Sequence, residues 1–385
     1  MKTSATSFLH PYKIWVLIPY LESDDPNIQH YYDFSQSLAE YTKVFEELKA
    51  DWEWQPVTIN NYKQVIRTIA GNTNGKTPLV LNLCDGDEVN GTPGVSIIHE
   101  LEKHRLIYTG SDIHFYNCTT SKIPMKKAFD KANIPTANWR IINGSKGSLR
   151  GICKRVGTPV IIKPAVSGGS MGVSVKNVVH SEEELAKRID EIHNGYHGWN
   201  LLADGLFVEQ FITGPEYTTF ITGSANDPRN CKVYEPVERV FHQSLPDTEK
   251  FLSFGRLWEI YDDETPMPLN ENFYEYQAVN PALIPALKRL SLDAYRSVGG
   301  KGYSRIDIRM DSASGKLYML EVNAQCGLSE DENYTSIGAI LKVSGKTFTE
   351  IIVEILNDAL RRSIKQPSEL KKIRSSRLKK VIVIK

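Results

Sequence analysis

Four polar residues late in the chain have the types and spacing to grip a divalent metal ion. The stretch Tyr303–Gly327 reads YSRIDIRMDSASGKLYMLEVNAQCG. Arg305–Met310 is a β-branched run, Asp311–Lys316 is Asp/Ser/Gly turn chemistry, and Leu317–Val322 is a second run, which together predict a β-hairpin. Alternation at period two puts Arg305 and Asp307 on one face, and Glu321 and Asn323 on one face of the return strand. Two carboxylates and an amide oxygen from paired strands are hard donors suited to Mg²⁺ or Mn²⁺. Such ions bind through one or two carboxylates while phosphate oxygens fill the octahedron. Ile306, Ile308, Leu320 and Val322 are expected to bury the opposite face. The competing reading is a surface hairpin with solvated charges. Acids are depleted in ordinary strands, which favours the cation site.

Two further stretches could serve a nucleotide. Lys163 leads into PAVSGGSMG, where Gly168, Gly169 and Gly172 let successive amides approach an anion. No Lys-Ser/Thr pair follows the glycines, so this is not a P-loop, and a flexible hairpin tip has the same composition. Glu209 and Glu216 bracket the next turn. Glu209 could meet an adenine amino group, the backbone of Gln210 and Ile212 the base edge, and Glu216 the ribose hydroxyls; two exposed acids on a hairpin are the alternative.

The elements that must position these residues follow from periodicity. Lys13–Pro19, Trp54–Ile59, Thr77–Leu83 and Leu106–Thr109 read as strands. Tyr31–Lys49, Val65–Ala70 and Gly94–His104 between them read as helices, so the first third predicts parallel βαβ units. Ligands in such sheets sit beyond the carboxyl ends of the strands, which places Tyr20–Asp25 and Cys84–Thr92 on the functional rim. Ser121–Asn133 reads as a basic amphipathic helix and Gly147–Val156 as another. Pro159–Lys163 with Val173–Val178 reads as a hairpin backed by helix Ser181–His193, whose Ser181 and Glu184 form a capping box. Leu206–Phe211 and Tyr217–Ile221 read as a strand pair about Thr213-Gly214-Pro215. Asn226–Asn280 reads as irregular, while Pro281–Val298 and Thr347–Ser363 read as helices.

Composition narrows the partners. The 385 residues are 41% hydrophobic, and 46 Lys+Arg balance 46 Asp+Glu. A formal charge of zero leaves no global field for nucleic acid or a membrane surface, and neither is expected as a partner. Five cysteines (Cys84, Cys118, Cys153, Cys231, Cys326) are scattered without CxxC pairs, as in reduced cytoplasmic proteins. The apolar run Ile14–Leu21 contains Pro19 and meets Glu22, Asp24 and Asp25, so it reads as a strand rather than a signal segment. The basic tail KKIRSSRLKK at Lys371–Lys380 reads as solvated chain, with a nucleic-acid or anionic-lipid contact as the alternative.

The order of these features resembles an ATP-grasp enzyme: Lys122 on a helix, Lys163 before glycines, Glu209 and Glu216 at a hinge, then the charged hairpin. PVIIKP with GGSMGVSV, FVEQFITGPEYT, SRIDIRMD and LEVNAQCG, plus NLCDG and IYTGSD upstream, resemble the D-alanine–D-alanine ligase family over roughly Lys13 to Leu360. The resemblance implies an α/β fold, α+β in the catalytic half, in three parts: an N-terminal Rossmann-like parallel-sheet substrate domain (12–118), a central ATP-grasp lid with the glycine flap (119–215) and a catalytic domain (216–363), followed by the tail (364–385).

It also implies roles. Lys122, Lys163 and Gly169 would contact ATP together with Glu209, Gln210, Ile212 and Glu216. Asp307, Glu321 and Asn323 would hold two Mg²⁺, or Mn²⁺. Arg305, the Gly327 amide and Ser170 would serve catalysis. The reaction would phosphorylate a carboxylate and pass the acyl group to an amine, with small amino-acid-like substrates; a homodimer is what the family suggests.

Departures from the family cluster at the substrate end. IPYLESDDPN replaces the stretch that meets the first D-alanine, leaving Glu22, Asp24 or Asp25 as the candidate anchor for an ammonium. Asp85 stands where the family has histidine. QCGLSEDEN places Glu332 near a serine that holds the second substrate's carboxylate, where an acid would suit an amine or basic group instead. Gly169 replaces one of two flap serines, and Arg256 is the candidate cation in the loop Lys250–Glu259. The expectation is a carboxylate–amine ligase of altered specificity. A true D-alanine–D-alanine ligase is the alternative, and an ATP-binding regulatory protein without ligase activity the reading from another class.

Overall fold

A computed structural model describes residues 7–22, 33–71, 75–142, 149–195, 198–257, 264–268, 271–331 and 335–381, by backbone alone beyond 364. Three sheets organise them. The first is parallel, in the order β2 (Asp51–Val57), β1 (Tyr12–Pro19), β3 (Thr77–Asn82), β4 (Ile107–Tyr108). Along β1 and β3 the side chains alternate between two cores. Ile14, Val16, Leu79 and Leu81 meet Tyr41, Val44 and Phe45 of α1 (Ser35–Glu47). Trp15, Leu17 and Val80 meet α2 (Tyr62–Gly71) and α3 (Val95–Lys103) through Ile66, Ile69, Ile97 and Leu101. Burial on both faces explains why these strands read as continuous apolar runs.

Two consecutive helices follow, α4 (Ile113–Thr120) and α5 (Lys122–Lys131), where only the second was expected from periodicity. Asp112 caps α4 by accepting from the Phe115 amide at 2.9 Å. The second sheet is antiparallel: β5 (Trp139–Ile142), β8 (Leu206–Gln210), β6 (Val160–Pro164), β7 (Val178–Val179). Its core takes the apolar faces of α6 (Ile152–Val156) and α7 (Glu182–His193). Ser181 caps α7, and the Glu184 carboxylate reaches back to the His180 amide, one residue beyond the expected box. The expected strand Val173–Val178 shortens to β7. Val175–Asn177 is a 3₁₀ turn because buried Asn177 donates to the carbonyls of Ile162 and Gly172 in place of ladder pairing.

The third sheet runs β12 (Tyr274–Ala278), β11 (Val237–Phe241), β9 (Glu216–Thr222), β13 (Tyr303–Met310), β14 (Leu317–Ala324), with β10 (Lys232–Val233) also on β9. Asn226–Asn280, expected to be irregular, thus supplies three strands. Its polar composition hid them because β12 exposes Glu275, Gln277 and Ala278. A short helical turn, α8 (Phe254–Leu257), interrupts this segment, and α9 (Ile284–Ser297) covers the sheet. Two further helices, α10 (Ser336–Ser344) and α11 (Phe348–Val381), join the core of the first sheet through Ile340, Ile351, Ile352 and Ile355. No helix among the described residues is long and apolar enough to cross a membrane.

β8 and β9, expected to pair, lie in different sheets. The chain crosses between them at Thr213-Gly214-Pro215, stitched to the hairpin end by Met310 N–H to Pro215 O and Ser312 N–H to Thr213 O, each 2.9 Å. Gly214 sits at φ +137°, where a Cβ would lie 2.2 Å from the Met310 carbonyl oxygen. Gly214→Ala should therefore cost about 2 kcal/mol or more and lower the thermal midpoint by several degrees. A melting curve indistinguishable from wild type would contradict the close approach.

Candidate active site

The hairpin brings the four expected residues together. In the β13–β14 register Arg305 faces Asn323 and Asp307 faces Glu321. Asp307, 6% exposed, accepts at Oδ1 from Thr218 Oγ1 (2.8 Å) and at Oδ2 from Arg305 Nε (3.1 Å) and Asn323 Nδ2 (3.0 Å). Asn323 Nδ2 also reaches Glu321 Oε1 at 3.2 Å. A register shift follows Asp307 and reverses the alternation beyond it. Met319, not Leu320, therefore joins Ile306, Ile308 and Val322 in the core, while Leu320 turns into the cleft. Among the described residues no three His, Cys, Asp or Glu side chains form a metal cluster. That agrees with a donor set of two carboxylates and one amide. Two facing acids with an amide between them fit a divalent ion whose remaining ligands come from phosphate.

Helix α5 faces the hairpin. Its start is pinned by the Lys122 amide to Ala165 O (2.8 Å) and a bridge between Ser121 and Val166. Lys122 Nζ then lies 3.3 Å from Glu321 and donates to Ser167 O at the start of the glycine turn. Lys126, one helical turn on, belongs to the helix expected to be basic and amphipathic. It is 1% exposed, donates to Thr136 Oγ1 (2.6 Å) and meets Glu209 Oε2 at 2.5 Å. Lys163 Nζ holds the other Glu209 oxygen at 2.7 Å.

Glu216 is likewise enclosed, by Arg239 of β11 and by Arg309 of β13 (2.5 Å). Arg239 also donates to the Tyr276 hydroxyl at 3.0 Å. Sequence reasoning missed Lys126, Arg239, Arg309, Tyr274 and Tyr276. The four-residue spacing from Lys122 was the available signal for Lys126. The others sat in, or paired with, a segment that showed no period.

A cleft of about 700 Å³ gathers these groups. Its walls include Lys122, Lys163, Gly169, Ser170, Glu209, Gln210, Ile212, Glu216, Arg305, Asp307, Glu321, Asn323 and Gly327, with Asp85 from the first sheet. Ser170 Oγ donates to Leu252 O at 3.0 Å, and the Phe254 amide to Val173 O at 2.8 Å, so the glycine turn is tied to the 251–257 segment. Gln325 fixes the first sheet's loops: its side chain donates to Cys84 O (2.7 Å) and accepts from the Ser111 amide (3.1 Å).

Two expectations change, and a third lies outside the described residues. Glu22 lies apart from the cleft walls and accepts from Asn60 Nδ2 at 2.6 Å, because the turn after β2 offers its carboxylate nearer donors. Glu332 lies outside the described residues, as do Asp24 and Asp25. Arg256 is buried against Glu249 (2.7 Å) and Glu264 (2.6 Å), so it braces its loop instead of reaching into the cleft.

The electrostatics follow from this crowding. Burial works to raise the Glu321 carboxyl, but Lys122, Arg305 and Lys163 outweigh it and hold it at about 2. Asp307 is pushed up, chiefly by burial, with Glu321 and Glu216 adding to the rise against Arg305 and Arg239. Asp85 is open to the cleft yet ringed by protein. Burial lifts its carboxyl to about 6 against a pull from Arg305, and its open surface limits that rise.

Glu209 gives a measurable consequence. Burial favours its neutral form, yet Lys126 and Lys163 hold it at about 2. A depressed carboxylate contributes stability above its unfolded value of about 4.5 that is lost as the pH falls through the folded value. Glu209→Gln, which leaves two lysines facing each other, should cost about 3 kcal/mol or more near neutrality. In denaturant unfolding that gap should narrow between about pH 4.5 and 2; a pH-independent gap would contradict the assignment.

The chain matches known proteins along most of its length. A family model described as D-ala D-ala ligase C-terminus matches residues 128–357. The D-alanine–D-alanine ligase of Marinobacter nauticus is 29% identical over 258 residues, covering 67% of this chain and 68% of that protein. The crystal structure of D-alanine–D-alanine ligase from Bacillus anthracis complexed with ATP shares the fold: TM-score 0.62, 17% identity, 92% of this chain and 99% of that one. The VanG D-Ala:D-Ser ligase from Enterococcus faecalis also has a TM-score of 0.62, at 15% identity, covering 90% and 99%. With the family's model matched over more than half of its length and the site geometry in place, this chain belongs to the D-alanine–D-alanine ligase family, ADP-forming ligases of the ATP-grasp class.

Proposed function

We propose that the protein is an ATP-dependent ligase of the D-alanine–D-alanine type, which activates one amino acid's carboxylate and joins it to the amine of another. The observation that carries this reading is the convergence of Arg305, Asp307, Glu321 and Asn323 with Lys122 and Lys163 in a single cleft. Bare nucleotide binding, as in a regulatory protein, has no use for a half-buried arginine beside two metal-type acids. D-alanine is the first substrate to try, because the matching curated relatives are named for it.

In this reading the part built on residues 119–215 closes over the nucleotide and the part built on 216–363 carries the chemistry. The backbone of Gln210 and Ile212 would meet the base. Glu209 would act by fixing Lys126 and Lys163, and Glu216, pinned by two arginines, would face the ribose. Lys122, Lys163 and the amides around Gly169 would bind phosphate oxygens. Asp307, Glu321 and Asn323 would hold Mg²⁺, which supplies charge neutralisation to the phosphate oxygens.

The donor carboxylate oxygen attacks the γ-phosphorus, and the bond to the bridging oxygen breaks to release ADP. The acceptor amine then attacks the acyl carbon, loses a proton and expels phosphate. Arg305 would stabilise charge developing in both steps, with the Gly327 amide facing the tetrahedral oxygen and Ser170 closing the flap. Asp85, open to the cleft, would face the donor's ammonium.

A ligase with a different acceptor is the second reading, favoured by the acid-rich segment Ser329–Asp331 beside Gly327. ADP release with D-alanine alone tests the first; release only with another acceptor selects the second. ATP binding that needs Mg²⁺ but never yields ADP, with any amino acid or amine, would overturn both. Asp307→Asn and Glu321→Gln should each cut turnover about a hundredfold or more while far-UV circular dichroism stays native. Wild-type rates in either variant would contradict the metal assignment.

A further inference from the structure

One cation of the cleft wall has no acid of its own. Among the described residues six cations line the cleft: Lys122, Lys126 and Lys163 from α5 and β6, and Arg239, Arg305 and Arg309 from the third sheet. Lys126 is engaged by Glu209 and Thr136. Arg309 holds Glu216 and donates to the carbonyls of Ile212 (3.2 Å) and Lys250 (2.7 Å). Arg239 shares that same Glu216, and its other partner is the neutral hydroxyl of Tyr276 at 3.0 Å. Two guanidiniums on one carboxylate leave a positive charge in excess, and Arg239 is only 5% exposed. A charge in excess at a buried site favours an incoming anion.

Arg239 is also held in place to receive one. Its guanidinium lies over the rings of Tyr274 and Tyr276, 5.2 and 5.4 Å from their centroids, a contact that fixes it without using its hydrogens. Glu216 takes a hydrogen from one terminal nitrogen and Tyr276 takes one from the other. Each terminal nitrogen carries two, so each keeps one for a further acceptor. In the sheet Arg239 faces Glu216, and on the next row of the same face Thr218 holds Asp307. The charge of Arg239 reaches both Asp307 and Arg305. The guanidinium therefore stands between the acid assigned to the ribose and the acids assigned to the metal, beside the path of a triphosphate that joins them.

We infer that Arg239 is a phosphate-binding residue: its guanidinium donates to a non-bridging oxygen of the nucleotide's triphosphate from the third sheet, while Lys122 and Lys163 approach from α5 and β6. This rests on the ligase reading above. It supplies the cation that the loop Lys250–Glu259 does not deliver, since Arg256 is closed against Glu249 and Glu264. A planar fork can keep Glu216 and a phosphate oxygen at once, which the point charge of a lysine does less well.

The test uses the full chain with Mg²⁺. Calorimetry compares ATP with adenosine, which share base and ribose and differ in the triphosphate. Arg239→Gln should weaken ATP about tenfold or more and leave adenosine within about twofold of wild type. A residue that only braces Glu216 for the ribose would weaken both alike. In turnover, KM for ATP should rise while KM for D-alanine stays unchanged. Unchanged ATP affinity in Arg239→Gln, or an equal loss for adenosine, overturns the assignment. A raised KM for D-alanine with ATP binding intact would move the guanidinium to a substrate carboxylate and overturn it as well. If Arg239→Gln fails to fold, Arg239→Lys decides: a loss for ATP about threefold or more beyond that for adenosine supports the assignment, and no such loss overturns it. A wild type that does not bind ATP would overturn this assignment and the ligase reading together. ATP binding that depends on Arg239 without ADP release would strike the ligase reading alone; ADP release with ATP binding indifferent to Arg239 would strike this assignment alone.

Discussion

Charges placed in a crowded cleft must be neutralised from across it, and here Glu209, Glu216 and Glu321 each find a counter-charge on a different element. Glu209 on β8 is balanced by Lys126 from α5 and Lys163 from β6. Glu216 on β9 is balanced by Arg239 from β11 and Arg309 from β13. Glu321 on β14 faces Lys122 at the start of α5. Such pairs add little net stability by themselves, since desolvation offsets most of the attraction. Their effect is geometric, because moving any one partner strands a charge in low dielectric.

That constraint explains how sheets that share few backbone contacts form a single site. The glycine turn, the hinge at Gly214 and the loops of the first sheet are each fastened to the hairpin or its neighbours: by Ser170 to Leu252, by Thr213 and Pro215 to the hairpin end, and by Gln325 to Cys84 and Ser111. The hairpin is thus both the chemical centre and the part to which the others are tied. Asp307 and Glu321 are the exception to full neutralisation: two acids opposite each other, with one arginine and one amide between them. In the proposed ligase a divalent cation would complete that balance.

Much of this was readable in the residues because it rests on short-range periodicity. Arg305, Asp307, Glu321 and Asn323 sit at fixed alternations within one hairpin, and the parallel sheet announced itself through apolar runs separated by helical spacing. Failures came where distant chain segments decide the outcome. The bulge after Asp307 exchanged Met319 for Leu320 on the buried face, which no alternation rule foresees. Arg239 and Tyr276 lie on short strands whose cleft side carries charged and aromatic side chains in place of an apolar face, so no strand was read there. Glu22 had the right chemistry for a substrate anchor, but the turn at Asn60 holds it elsewhere.

The central claim is that the paired strands β13 and β14 present a metal site for a bound triphosphate. The most direct measurement is the affinity for ATP by calorimetry, with Mg²⁺ and with excess chelator, in the wild type and in a double variant, Asp307→Asn with Glu321→Gln. The account predicts that Mg²⁺ tightens ATP binding about tenfold or more in the wild type and leaves the double variant nearly unaffected. Equal Mg²⁺ dependence in the two proteins would contradict it.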